Sequence, residues 1–75
     1  MRTMKMPKGV SRRWTGEIAK VVPAKTKVRV DQHWDFTEVC CVAPDDLVAA
    51  FRAKKHAVEF CRMNRLEITC RIAGA

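Results

Sequence analysis

The sequence predicts a small α+β domain in which one long helix packs on a mainly antiparallel sheet, in the order β-β-β-α-β. Two stretches, 26–31 and 66–72, alternate apolar and polar side chains as half-buried strands do. Residues 44–63 carry apolar side chains at helical spacing. The chain has 75 residues, of which 48% are hydrophobic and 31% charged, as in a single globular domain.

The first two strands are predicted to form a hairpin. Residues 18–22 read as a strand that Pro23 ends, because proline cannot donate to a ladder. After a short turn, Val28 and Val30 share one face of the stretch 26–31, and Lys27, Arg29 and Asp31 occupy the other face.

The third strand is predicted to span Phe36 to Val42. Apolar side chains occur on both of its faces, which is typical of a central strand or of one that a partner subunit covers. The turn before it contains Trp34, and for a domain of this size we expect this large side chain to fill the core.

The helix is predicted to begin at Pro44, with Asp45 and Asp46 next to the positive end of the helix dipole. Asn64 is the expected left-handed stop. A final strand follows. The predicted core of the whole domain is Ile18, Val28, Val30, Phe36, Val42, Leu47, Phe51, Val58, Cys61, Leu66, Ile68 and Ile72.

Positive charge is concentrated at the beginning of the chain. The net charge is +7, from 15 Lys and Arg against 8 Asp and Glu. Residues 1–13 hold five of these cations and no acid, so the other 62 residues contribute only ten cations against eight acids. We therefore expect a flexible basic arm over 1–13, followed by one domain over 14–75. The cations of the arm are Arg2, Lys5, Lys8, Arg12 and Arg13.

An arm of this kind indicates an anionic partner. Its cations would contact phosphates or carboxylates, and Trp14 would either stack on a base or fill the core at the junction with the domain. The polar face of the predicted sheet offers a second basic surface, formed by Lys27, Arg29 and Arg71. On the helix, Arg52, Lys55 and Arg62 follow one outward stripe, which is typical of an ordinary solvated face.

The four cysteines, Cys40, Cys41, Cys61 and Cys70, are expected to be free thiols. No apolar stretch follows the basic arm as it would in a signal peptide, so we expect a cytoplasmic protein that crosses no membrane. Zinc is the alternative, but the cysteines lack the close pairing of structural zinc sites. No metal and no cofactor are therefore predicted.

Signatures of catalysis and of known nucleic-acid modules are missing from the sequence. The only glycines are Gly9, Gly16 and Gly74, which excludes a glycine-rich phosphate loop. Neither an RRM-type aromatic pair, a KH-type loop nor a helix-turn-helix is present. We therefore expect a protein that is not an enzyme.

In size and predicted architecture the whole chain resembles small phage-encoded inhibitors of the anti-CRISPR kind, although no motif carries the resemblance. It implies a non-catalytic protein that covers a surface of a host nucleic-acid-processing complex. Many such inhibitors are acidic, and the charge of +7 departs from that pattern.

Three functions remain open. The favoured one is a small basic protein that docks on a polyanion, either nucleic acid or a nucleoprotein complex. The alternative is an inhibitor that binds the protein surface of such a complex, and the third is a cysteine-dependent enzyme or redox protein. The small core and the third strand, which is apolar on both faces, are also consistent with a homodimer.

Overall fold

The computed structural model describes residues 4–10, 15–42 and 44–69. In this part of the chain, one five-stranded sheet carries one helix, which confirms the predicted α+β class. The elements in chain order are β1 (Gly16–Ile18), β2 (Lys27–Gln32), β3 (Thr37–Cys41), β4 (Asp46–Phe51), α1 (Lys54–Met63) and β5 (Glu67–Ile68).

The strands lie in the order β1-β4-β3-β2-β5. Strand β5 is parallel to β2, and the other neighbours are antiparallel. The predicted hairpin between the first two strands is wrong, because β1 pairs with β4 through Gly16 and Phe51. Both edges of β2 are already occupied, one by β3 and the other by β5.

The first half of the predicted helix 44–63 is the strand β4. Its register against β3 shifts between Val39 and Cys40, so that Ala49 pairs with Val39 whereas Leu47 pairs with Cys40. This bulge leaves Val48 without a partner on β3, and its side chain is completely buried in the core. The helix therefore starts ten residues later than predicted, at Lys54.

The C-terminal end of α1 is a Schellman motif. Arg65 has a φ of 57°, its N–H donates to the carbonyl of Arg62, and the N–H of Leu66 donates to the carbonyl of Cys61. The left-handed residue is therefore Arg65 and not Asn64, whose φ is −99°. The chain reverses at this point, and β5 then lies beside β2.

The core lies between α1 and the sheet, where the rings of Phe51 and Phe60 pack 5.2 Å apart at 48°. Of the predicted core, five side chains are buried: Val28, Val30, Phe51, Cys61 and Leu66. Four are half-buried: Ile18, Phe36, Leu47 and Val58.

Three predictions about the core are wrong, and a fourth is untested. Val42 and Ile68 are exposed, because the first follows the end of β3 and the second lies on the edge strand β5. Trp34 is 95% exposed at the tip of the β2–β3 hairpin, where a two-residue turn places it beyond the sheet. Ile72 lies outside the described residues.

Residues 4–10, the described part of the predicted flexible arm, are packed on the domain. Met4 and Pro7 are buried, and Val10 packs against the core. Val10 approaches Gly16 so closely that a Cβ at position 16 would lie 2.5 Å from Cγ1 of Val10. The expectation of a free arm is therefore wrong for these residues, because apolar burial holds them in place.

Candidate functional site

On the face of the sheet turned away from α1, Arg29 is paired with nearby acids. Its side chains alternate with the core residues of β2 and β3. Nε of Arg29 lies 2.8 Å from Oδ2 of Asp31, and Nη2 lies 2.9 Å from Oδ1 of Asp45. Both hydrogen bonds raise the pKa of the Arg29 guanidinium above its ordinary value, and the one to Asp31 has the larger effect. Arg29 is therefore satisfied by carboxylates of its own domain.

Other charges on the strands are paired in the same way. Nζ of Lys20 lies 2.9 Å from Oδ2 of Asp46, and this hydrogen bond lowers the pKa of Asp46 and raises that of Lys20. Nε2 of His33 lies 2.9 Å from Oε1 of Glu38. The strands thus hold most of the acids of the described chain, and they offer little free positive charge to an anion.

The helix side carries the opposite charge. A groove of about 650 Å³ runs along α1 and is flanked by the N-terminal segment. Lys55, Glu59 and Arg62 follow one another at intervals of four and three residues, which places them on one face of the helix. We call this the helix-side groove; it is lined by Lys8, Lys54, Lys55, His56, Val58, Glu59 and Arg62.

The helix-side groove keeps a net positive charge. Four of its lining residues are cations, and Glu59 is the only acid among them. Among residues 4–10, 15–42 and 44–69, the ion pairs involve other residues, all of them on the strands and their loops. In addition, the first turn of α1 contains no acid. The positive end of the helix dipole therefore adds to the potential of the groove instead of being compensated.

Asn64 ties the N-terminal segment to the end of the helix. The N–H of Lys5 donates to Oδ1 of Asn64 at 2.8 Å, and Nδ2 of Asn64 donates to the carbonyls of Lys5 and Phe60 at 2.9 and 2.8 Å. This clamp joins positions 59 residues apart in the chain. It fixes the segment that brings Lys8 to the groove.

Replacement of Asn64 by alanine is expected to loosen this segment. Since a hydrogen bond contributes about 0.5–1.5 kcal/mol net, protection of the Lys5 amide against hydrogen exchange should fall about 2- to 13-fold. NMR-detected exchange measures this directly. Gln32→Ala, which truncates another side-chain amide at an exposed position on β2, is the control and should leave the Lys5 amide protected. Equal exchange in the two variants would contradict the clamp.

His56 also lines the groove, and its Nδ1 is buried without a hydrogen-bond partner among the described residues. A buried polar atom without a partner costs about 1–3 kcal/mol. A cost of this kind in a small domain is typical of a position kept for a purpose other than stability.

The structure separates the residues that the sequence singles out for binding. Lys8 lies in the helix-side groove, and Lys5 is exposed beside the clamp formed by Asn64. Lys27 is exposed on β2, whereas Arg29 is held by Asp31 and Asp45. Outside the described residues lie Arg2, Arg12, Arg13, Trp14 and Arg71.

Sequence reasoning missed most of the groove. Lys54 falls in the middle of the predicted helix 44–63, and Lys55 and Arg62 are predicted on an ordinary solvated face. Arg52, expected on the same stripe, lies between β4 and α1. The absence of acids in the first turn of α1 could have indicated the groove, had the true start of the helix been recognised.

The described cysteines are buried free thiols. Cys40 and Cys41 lie in β3, and Cys61 lies in α1; Cys70 is outside the described residues. Burial raises the pKa of Cys61 to about 11 and is also the main reason that the pKa of Cys40 is raised. Because the thiolate is the nucleophile, these thiols are poorly placed for catalysis.

Alkylation of Cys61 should therefore require a higher pH than alkylation of an ordinary thiol. In the folded protein, labelling by iodoacetamide should be slow at pH 8 and should keep rising to about pH 11. In urea it should level off above the ordinary thiol pKa of 9.0. Mass spectrometry of the Cys61 peptide measures both curves. The same rate at pH 8 with and without urea would disprove the burial of this thiol.

Residues 4–10, 15–42 and 44–69 contain no cluster of three or more His, Cys, Asp or Glu side chains able to hold a metal ion. Over the same ranges, no helix is both long and apolar enough to span a membrane.

Comparison with known proteins identifies no relative. No protein-family model, curated protein or solved structure matches this chain. Inference about function therefore rests on the groove and on its charge.

Proposed function

We propose that this is a small, non-catalytic protein that docks on the sugar-phosphate backbone of nucleic acid through the helix-side groove. The observation that carries the proposal is the separation of charge. On the strand side Lys20 and Arg29 pair with acids, whereas the cations of the groove have no carboxylate within ion-pairing distance among the described residues. Unpaired cations that share one concave surface attract a polyanion.

The dimensions of the helix fit a short stretch of backbone. Ten residues of α1 extend over about 15 Å, which corresponds to about four phosphates of one strand at about 3.4 Å each. Lys54 and Lys55 lie at one end of this length and Arg62 near the other. The first N–H groups of the helix lack intrahelical partners and add donors beside the lysines.

The composition of the groove favours contact with the backbone over base reading. Lysine and arginine dominate its lining, and no aromatic side chain other than His56 contributes to it. Base-specific recognition would require side chains that reach base edges or stack on bases. We therefore propose binding that depends on charge and shows little sequence preference.

The absence of catalysis is part of the proposal. It is supported by the burial and raised pKa of Cys61 and Cys40, which make these two thiols weak nucleophiles at neutral pH. It is also supported by His33, whose Nε2 contacts Glu38 on the strand side and no thiol.

Fluorescence anisotropy of labelled oligonucleotides tests the proposal. Single- and double-stranded DNA of about 20 nucleotides would be titrated with the protein at about 50 and 200 mM salt. With four groove cations on phosphates, affinity for the duplex should fall about 150-fold over this range. Polyglutamate of similar length is the control for general attraction to acids and should bind more weakly than DNA.

Two outcomes would count against the proposal. Undetectable binding at low salt would exclude nucleic acid as the partner. An affinity that hardly changes with salt would indicate a packed interface, and would favour the inhibitor that covers a protein surface.

A further inference from the structure

The tip of the β2–β3 hairpin is a rigid protrusion with an exposed tryptophan. The N–H of His33 donates to the carbonyl of Phe36 at 2.7 Å, and the two rings stack with their centroids 4.5 Å apart. The contact between His33 and Glu38 braces the same turn. Trp34 lies between the stacked residues in sequence but is 95% exposed. Its apolar surface is therefore presented to solvent on a pre-organised support, as in an interface anchor.

The charge of this hairpin indicates which kind of surface it can bind. Asp31, Asp35 and Glu38 lie on the hairpin, and its strands and turn contain no lysine beyond Lys27 at the far end of β2. Arg29 is already paired with Asp31. An acidic tip repels phosphates, so Trp34 is unsuited to stacking on nucleic-acid bases. It is suited to a cavity with an apolar floor and a cationic rim.

The helix-side groove is such a cavity on the same chain. Val58 and the aliphatic stems of its lysines provide apolar surface, and Lys54, Lys55 and Arg62 provide the cations. The groove is open to solvent and has a volume of about 650 Å³, which gives the flat indole ring room to lie against it. Cations beside the face of a tryptophan add a cation–π attraction.

The topology allows two copies of the chain to bind each other in the same way. Thr37, the first residue of β3 after the tip, pairs with Phe51 at the end of β4, and α1 begins three residues later at Lys54. The tip and the start of the groove therefore lie at the same end of the domain. Two copies related by a two-fold axis can each present Trp34 to the other's groove, and such a contact closes on itself.

We propose that two copies of this chain associate through insertion of the Trp34 hairpin of each copy into the helix-side groove of the other. Two tryptophans are buried for a single loss of translational freedom, which favours the closed dimer over a one-sided contact. The inference uses the same groove as the proposed function. Nucleic acid and the second copy therefore compete, and dimerisation occludes the binding site.

Sedimentation equilibrium of the full chain, without nucleic acid, tests the dimer. We expect wild-type protein to dimerise reversibly and more weakly as salt is raised from about 50 to 500 mM. Trp34→Ala should weaken dimerisation about 30-fold, as for a hot-spot residue. Val21→Ala, which truncates another exposed apolar side chain, is the matched control and should have no effect.

Fluorescence gives an independent readout. In a Trp14→Phe background, Trp34 is the only tryptophan, since the chain has two. Its emission should shift to shorter wavelength as protein concentration rises, and addition of a DNA duplex should reverse the shift. A monomer at all concentrations, or a dimer that Trp34→Ala leaves intact, would overturn the inference. Either result leaves the measured affinity for DNA as a separate test of the proposed function.

Discussion

Exchange of Lys55 and Arg62 for glutamine is expected to weaken binding of a DNA duplex by about 200-fold at about 50 mM salt. The reason is counterion release. Each phosphate contact contributes about 0.9 to the slope of log affinity against log salt, so four groove cations give about −3.6 and two give about −1.8. If the two proteins bind equally at about 1 M salt, the loss at about 200 mM is only about 20-fold.

The measurement is the same anisotropy titration at several salt concentrations. The informative quantity is the slope, because a variant that is merely less stable would lose active protein without changing the slope. Circular dichroism would show that the variant is folded, as expected for two exposed positions on α1.

A matched variant separates the two faces of the domain. Lys20→Gln with Lys27→Gln removes the same charge from the strand side, where Lys20 is paired with Asp46. We expect the slope and the affinity of this variant to stay close to wild type. If it instead loses as much as the groove variant, binding follows net charge or uses the sheet face, and the groove is not the site.

The fold class could be predicted because the sequence contains two recognisable patterns, the alternation of a strand and the end of a helix. The alternation in 26–31 identifies β2, and the turn after residue 63 ends the helix as predicted. The strand β4 could not be recognised for a physical reason. Its bulge at Val48 breaks the alternation, and the four-residue spacing of Leu47 and Phe51 is also that of one face of a helix.

Because the helix was predicted to begin at Pro44 and not at Lys54, the groove could not be recognised from the sequence. With the helix beginning at Lys54, the lysines fall in the first turn and face the N-terminal segment. The contribution of Lys8 depends on the contact between Lys5 and Asn64, which are 59 residues apart. Nothing in the local sequence indicates a contact of this range. The excess of positive charge could be read from the sequence, but its location could not.

Phe60→Ala is expected to lower the stability of the domain strongly. The side chain of Phe60 is fully buried, and it packs on the ring of Phe51. Removal of a buried phenylalanine costs about 3–5 kcal/mol. A domain of 75 residues has a total free energy of unfolding of about 4–11 kcal/mol. The substitution should therefore remove between about a quarter and all of the free energy of unfolding, and the variant should denature at a markedly lower urea concentration.

Urea denaturation followed by circular dichroism measures the loss. Phe36→Ala is the control, since this ring is only half-buried and stacks on His33 at the hairpin; it should cost less than half as much. Phe60→Leu should recover most of the stability, because volume-conserving changes in a core usually cost less than about 1.5 kcal/mol. Equal losses in the two alanine variants would mean that α1 is not anchored on the sheet through Phe60. In that case Lys54, Lys55 and Arg62 would lack a fixed support, and the groove would not be pre-formed.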